Sequence, residues 1–156
     1  MNTFAPNPSK PSAPRPRRPA TARGLVVLAA AGLQVLMISQ SSSLANVSLV
    51  MPQADADKAS RLLRREFAAG SILGDIAVVP HVSIVTIVGD GMRGTPGIAS
   101  LLCSALAAEQ VNLLMIAQGS SEANISVAIP EKHTQTAVRA VHAAFGLARS
   151  GDNPQA

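Results

Sequence analysis

One nineteen-residue segment occurs twice in this chain. Residues 33–51 (LQVLMISQSSSLANVSLVM) align with residues 111–129 (VNLLMIAQGSSEANISVAI) at an offset of 78, and nine of the nineteen positions are identical. The same offset aligns four residues that follow the first copy with four that follow the second: Pro52, Ala59, Arg61 and Phe67 with Pro130, Ala137, Arg139 and Phe145. Because self-similarity at a fixed offset indicates repeated structural units, the chain is expected to form two small related units.

The second copy has the patterns of three strands and two helices. Residues 81–89 (HVSIVTIVG) are a continuous apolar run that predicts a buried strand, and residues 98–110 place apolar side chains at helical spacing. Residues 111–118 and 123–130 are short aliphatic runs separated by a turn-forming GSSE, which predicts two paired strands. Residues 131–145 again have one apolar face, so the predicted order is β-α-β-β-α.

Two helices on one face of an antiparallel sheet predict an α+β fold built from ferredoxin-like βαββαβ units. The first copy has only the pattern α-β-β-α, because the Pro-rich residues ahead of it contain no apolar strand. We therefore expect the first unit to lack its leading strand, which leaves a sheet edge that is exposed or paired with another chain. The predicted organisation is an arm at 1–23, a truncated unit at 24–80, a complete unit at 81–149 and a flexible tail at 150–156.

The N-terminal 23 residues are rich in Pro, Ser and Ala and carry five basic residues but no acidic one, which predicts a disordered arm. The apolar run GLVVLAAAGLQVLMI that follows imitates a secretory signal peptide. It overlaps the repeated segment, however, and a cleavable peptide would not recur in the middle of a chain. The run is also too short for an ordinary membrane span. We expect a cytoplasmic protein without membrane contact, with secretion and mitochondrial import as alternatives.

Composition argues against a nucleic-acid partner. Aromatic residues make up 2% of the chain, so base-stacking platforms are not expected. The formal charge of +4 comes from the arm, since the residues from 24 onward hold 8 basic and 9 acidic side chains.

The sequence also offers little for catalysis. His81, His133 and His142 are not spaced to share a metal-ligand face, and no serine lies in a G-x-S-x-G setting. Cys103 lies in the apolar stretch SLLCSALAA and is expected to be buried and unreactive. We expect no catalytic residue, no metal and no cofactor.

Gly89, Gly91 and Gly94 spell G-x-G-x-x-G between a predicted strand and a predicted helix. A dinucleotide site would also need a helix that opens at the glycines and an acidic residue at the end of the next parallel strand. Here Pro96 delays the helix, and the next strand ends in Gln118. The loop is therefore not expected to bind a dinucleotide, although its N–H groups beside a helix N-terminus suit a carboxylate.

Three segments of the second copy resemble a known family. GDGMRGTPGIA, then N-x-L-M-I-A-Q-G-S-S-E-x-N-I-S-V, then A-V-R-A-V-H-x-A-F are similar to the tandem ACT regulatory region of aspartate kinase, and most similar to the threonine-sensitive type or the type fused to homoserine dehydrogenase. The resemblance covers residues 22 to about 147. It implies two ACT units packed side by side, with strands exchanged between them and an end-product amino acid bound at their interface. The kinase domain and the dehydrogenase of that family have no counterpart in this sequence.

The resemblance also implies effector-binding residues at the end of the second strand of each unit. The family's effector-contacting glutamine falls on Gln118 and on Gln40, and Ile116 and Ile38, two positions earlier, would add backbone or side-chain contacts to the effector. A neutral amide offers donors and acceptors, so it can bind a zwitterion or a hydroxyl without adding net charge. A strand-end glutamine that caps its own turn is the alternative for each, and for Gln40 it is an equal one.

The glycine loop would hold the backbone of the effector. The resemblance places the effector's carboxylate near the N–H groups of Gly97 and Ile98 at the helix start, with Asp90 beside the ammonium. The first copy lacks this loop and has Leu44 where the family has a glutamate, so one effector site is expected to be incomplete.

The resemblance thus implies an allosteric amino-acid-binding module that senses threonine rather than lysine. Lysine-sensing relatives carry an acid where this chain has Leu114 and Leu36. Its expected partners are a second copy of itself or an aspartate kinase chain. The alternative is a dimerisation or assembly module, or a truncated kinase remnant, that binds no effector.

Overall fold

The computed structural model describes residues 19–40, 46–68 and 76–146. In the first unit, helix α1 spans Ala20–Ala30, strands β1 and β2 span Met37–Gln40 and Val47–Val50, and helix α2 spans Ala56–Ala68. In the second unit the elements are strand β3 (Val82–Val88), helix α3 (Ile98–Ala108), strands β4 (Met115–Gln118) and β5 (Asn124–Pro130), and helix α4 (Thr134–Ala144). The predicted orders α-β-β-α and β-α-β-β-α are both confirmed.

The offset of 78 persists at the level of backbone structure. Helices α1 and α2 begin at Ala20 and Ala56, and helices α3 and α4 begin 78 positions later. A short 3₁₀ turn precedes the last helix of each unit, at residues 53–55 and 131–133. Because the helix starts have equal spacing in the two units, the strand end at Gln40 and the strand end at Gln118 both lie beside the first turn of a helix.

The second unit has an antiparallel sheet with the order β3-β5-β4. This is the order of the first three strands of a ferredoxin-like unit. The first unit contributes a two-stranded antiparallel sheet, β1-β2. Five strands are present in the described residues. The residues equivalent to β3 in the first repeat, 4–10, lie outside the described residues, so the predicted lack of a leading strand in the first unit stays a prediction.

Each unit packs its two helices on one face of its sheet. In the second unit Leu102 and Leu106 lie one helical turn apart on α3, and both are at most 1% exposed. They belong to one buried cluster with Ala137 of α4 and Ile129 of β5. In the first unit Leu28 and Ala59 occupy the positions of Leu106 and Ala137. The position of Leu102 is taken by Gly24.

A third apolar cluster joins the two units. Met37 of β1 and Met115 of β4, which are equivalent in the repeat, lie together in this cluster with Ala128 of β5. Strands β1 and β4 are neighbours in space. The two ACT-like units therefore pack side by side along these strands, as expected.

Two expectations need correction. Helix α1 begins at Ala20, so residues 20–23 belong to the first unit and not to the arm; residues 1–18 lie outside the described residues. Arg23 is fixed by an ion pair with Glu66, with 2.7 Å between its Nη2 and the carboxylate Oε1. Cys103 is exposed rather than buried, because the core-facing stripe of α3 runs through Leu102 and Leu106 and leaves position 103 off that stripe.

None of the helices in the described part of the chain has the length and apolarity needed to cross a membrane.

Candidate functional site

An open cleft lies between the glycine loop, the start of α3 and the end of β4. Its volume is about 300 Å³, at the lower end of the range of roughly 300–1,000 Å³ for small-molecule sites. Ten residues line it: Met92, Gly94, Thr95, Pro96, Gly97, Ile98, Ala99, Gln118, Glu122 and Ile125. The cleft thus combines an apolar floor with a glutamine, a carboxylate and a helix N-terminus.

The N-terminus of α3 has no side-chain cap. Gly97 precedes the helix with φ 91°, and within the described part of the chain no side-chain cap bonds to the first turn. The first turn also carries no acidic residue. Because the first N–H groups of a helix have no intrahelical acceptors, and because the helix dipole is positive at this end, the position favours an anionic group such as a carboxylate.

Gln118 is the last residue of strand β4, and its side chain lies on the sheet face that the helices cover. It pairs in the antiparallel ladder with Ile125, which is 1% exposed in the core under the helices. Paired residues project to the same face of a sheet, so the Gln118 side chain is directed towards the start of α3. Its amide makes no hydrogen bond to another described residue. Its donors and acceptor are therefore available to a ligand.

Glu122 connects the glycine loop to the turn between β4 and β5. Its Oε2 accepts a hydrogen bond from the N–H of Gly94 at 2.8 Å, and the N–H of Gly89 donates to the carbonyl of Ala123 at 3.0 Å. Within the loop, Thr95 Oγ1 donates to the carbonyl of Gly91 at 2.8 Å. These contacts hold the loop at the mouth of the cleft.

The structure brings together some of the residues predicted for the second unit. Gln118, Gly97 and Ile98 all line the cleft. Asp90 lies in an exposed 3₁₀ turn outside the lining. Ile116 lies two residues before Gln118 on the same strand face, 39% exposed, and is also outside the lining.

Three lining residues lie outside the loop and the strand end that sequence reasoning singled out: Ala99, Glu122 and Ile125. For Glu122 a signal existed, since the first copy has Leu44 at the equivalent position. The first copy lacks both this carboxylate and the glycine loop, which are the two groups that the hydrogen bond between Glu122 and Gly94 joins in the second unit. The environment of Leu44 lies outside the described residues.

The equivalent position in the first unit is arranged differently. Thr21 Oγ1 donates a hydrogen bond to Gln40 Oε1 at 3.1 Å, so the chain itself contacts the glutamine that corresponds to Gln118. Pro19 stands where the second unit has Gly97, and proline has no N–H to offer. Ile38 is 43% exposed on β1.

Over residues 19–40, 46–68 and 76–146, no group of three or more His, Cys, Asp or Glu side chains is placed to hold a metal ion. His81 pairs with Glu131 at the surface, with 3.1 Å between Nδ1 and Oε2.

Sequence comparison identifies related proteins. A profile of the ACT domain family matches residues 20–67 and 85–145. A bifunctional aspartokinase/homoserine dehydrogenase of Haemophilus influenzae is 40% identical over 121 residues, which are 76% of this chain and 15% of that enzyme. An aspartate kinase of Pseudomonas fluorescens is 37% identical over 134 residues, which are 80% of this chain and 31% of the kinase. The chain thus spans a minor part of these relatives.

Solved structures show the same fold. The ligand-free regulatory subunit of aspartate kinase from Thermus thermophilus is 32% identical, with a TM-score of 0.71, and the match covers 83% of this chain and 84% of the subunit. A chain from the structure of aspartokinase alpha and beta subunits has 29% identity and a TM-score of 0.70, with 84% and 86% covered.

Proposed function

This chain belongs to the ACT domain family, and we propose that it is a regulatory module that binds a free amino acid, preferentially threonine, and thereby controls an aspartate kinase in aspartate-family amino-acid biosynthesis. The observation that carries the proposal is the position of the Gln118 amide, which has no hydrogen-bond partner among the described residues and lies opposite the N-terminus of α3. A cytoplasmic location, expected from the sequence, is part of the proposal.

The cleft suits each polar group of a hydroxy amino acid. Its carboxylate would accept hydrogen bonds from the N–H groups of Ile98 and Ala99. Its ammonium would pair with Glu122, which uses one carboxylate oxygen for Gly94 and lines the cleft. Its hydroxyl would bond with the Gln118 amide. Glu122 replaces the predicted Asp90 as the ammonium partner, because Asp90 lies outside the lining.

The charge of the lining favours threonine over lysine. Glu122 is the single carboxylate among the lining residues, which otherwise are neutral. Once it pairs with the α-ammonium, a lysine side chain would bring a second ammonium without a partner, and a desolvated cation without a partner is unfavourable. A methyl group, as in threonine, would instead contact Met92, Ile98 and Ile125.

Control of a kinase requires only a modest coupling between sites. Allosteric coupling free energies are typically about 1–3 kcal/mol. This chain matches most of the regulatory subunit of aspartate kinase from Thermus thermophilus, and this match supports the proposal that it regulates a kinase chain. The proposed partners are therefore threonine and either a second copy of the chain or an aspartate kinase chain.

Calorimetric titration of the full chain with threonine, lysine and methionine tests the proposal. We expect saturable binding of threonine and roughly 5- to 150-fold weaker binding by Gln118→Ala, because the lost hydrogen bonds contribute about 1–3 kcal/mol. Gln40→Ala is the matched control and should bind threonine as the wild type does. No binding to a folded sample, or equal binding by Gln118→Ala, would exclude this function.

The second candidate function is assembly without a ligand. In the described residues β3 pairs only with β5, and β2 only with β1, so each sheet has an open edge. Val88 at the end of β3 is 75% exposed, and open edges favour pairing with another chain. Ultracentrifugation together with the titration distinguishes the candidates: a stable dimer that binds no amino acid in calorimetry favours assembly.

A further inference from the structure

The two equivalent glutamines differ in one neighbour. In the first unit the second residue of α1 is Thr21, and its hydroxyl donates to Gln40 Oε1 at 3.1 Å. In the second unit the equivalent residue of α3 is Ala99, which lines the cleft and has no hydroxyl. Gln118 consequently has no intramolecular partner among the described residues.

We infer that the Thr21 side chain occupies, in the first unit, the place that a ligand's hydroxyl takes in the second, and that the chain therefore binds one hydroxy amino acid, in the second unit only. The inference rests on the proposed function. It identifies the residue at the second position of the first helix, Thr21 or Ala99, as the determinant of whether each site is open.

Physical chemistry favours the internal hydroxyl. Thr21 is covalently held beside Gln40, so its hydrogen bond forms without the loss of translational and rotational freedom that a free ligand incurs. A threonine side chain presents the same hydroxyl and methyl groups as free threonine. The first unit also has Pro19 at the position of Gly97, and proline has no backbone N–H.

Replacing Ala99 with threonine, the residue at the equivalent position of the first unit, should close the second site. In Ala99→Thr, the new hydroxyl would bond with Gln118 and fill the place of the ligand's hydroxyl. Ala99→Val has the same shape without the hydroxyl, so it separates hydrogen bonding from simple obstruction. Threonine and valine have similar helix propensities, both lower than that of alanine, so the two variants are matched in stability.

Calorimetry with L-threonine on the full-length chain and these two variants provides the test. We expect one site per wild-type chain, at least tenfold weaker binding by Ala99→Thr, and a smaller loss in Ala99→Val. Two sites per wild-type chain, unchanged binding by Ala99→Thr, or an equal loss in both variants would overturn the inference while leaving the proposed function intact. Absence of wild-type binding would overturn both.

A second measurement reports the sites separately. In ¹H–¹⁵N spectra of the full chain, added L-threonine should shift the side-chain amide signals of Gln118 and leave those of Gln40 in place. Equal shifts of both pairs of signals would show that Thr21 does not close the first site.

Discussion

The carboxylate of Glu122 accepts a hydrogen bond from the N–H of Gly94 at 2.8 Å, across 28 positions of the chain. This contact links the β4–β5 turn to the glycine loop, so the two sides of the cleft are held at a fixed distance. The first unit lacks both partners, since Leu44 stands in place of the carboxylate and Pro-rich sequence stands in place of the loop.

Replacing Glu122 should weaken ligand binding through two separable effects. In Glu122→Gln the amide oxygen still accepts from Gly94, so only the charge that would pair with the ligand's ammonium is lost. Glu122→Ala loses the loop contact as well, and we expect roughly tenfold weaker threonine binding than in Glu122→Gln. Calorimetric titration of both variants measures the difference. Equal affinities would show that the loop contact does not support the site.

Gly97 should be required for its backbone conformation and not for space. Its φ is 91°, and an added Cβ would meet no atom within 4 Å. Gly97→Ala should therefore lower the free energy of unfolding by about 1–2 kcal/mol, the cost of the left-handed region for a residue with a side chain.

Gly91→Ala is the matched control for Gly97→Ala. It lies in the same loop with the same open space around an added Cβ, but without a positive φ. Urea denaturation of both variants should show little change for Gly91→Ala. A similar loss of stability in the two would contradict the conformational explanation.

Much of the fold could be predicted because the repeat supplied two independent views of each element. The offset of 78 placed the strand pair and both helices of each unit, and Leu28 and Leu106 confirm the register in the core. The start of α1 was missed because Arg23 lies in a basic, Pro-rich stretch, and its ion pair with Glu66 requires knowledge of tertiary packing.

The site was predicted less completely than the fold. Gln118 and Gly97 were identified from the resemblance and lie in one cleft. Ala99 and Thr21 carry no motif, and their importance appears only when the two helix starts are compared in space. Cys103 was assigned to the core from its apolar neighbours, but helix phase, not composition, decides which side of α3 is buried.

Arg23 should stabilise the first unit. Besides the ion pair, its Nη2 donates to the backbone carbonyl of Glu66 at 3.0 Å, and its guanidinium lies 5.4 Å from the ring centroid of Phe67. Because the pair is only partly exposed, Arg23→Ala should lower the free energy of unfolding by about 1–2 kcal/mol. Arg61→Ala, at an exposed position of α2, should change it by less than about 0.5 kcal/mol. Thermal denaturation that gives equal values for the two would contradict an ordered Arg23.

Met37 and Met115 should be energetically coupled, because they occupy equivalent positions of the two units and share one buried cluster. Each methionine is at most 7% exposed, and truncation to alanine should cost roughly 2–5 kcal/mol. If the units pack along β1 and β4, the double variant Met37→Ala/Met115→Ala should be less destabilised than the sum of the single variants, by at least about 0.5 kcal/mol.

Leu28→Ala combined with Met115→Ala is the control, since Leu28 lies in a different cluster and should give nearly additive losses. Urea unfolding of all five variants measures both coupling energies, and additivity in the methionine pair would show that the two units do not depend on each other for packing.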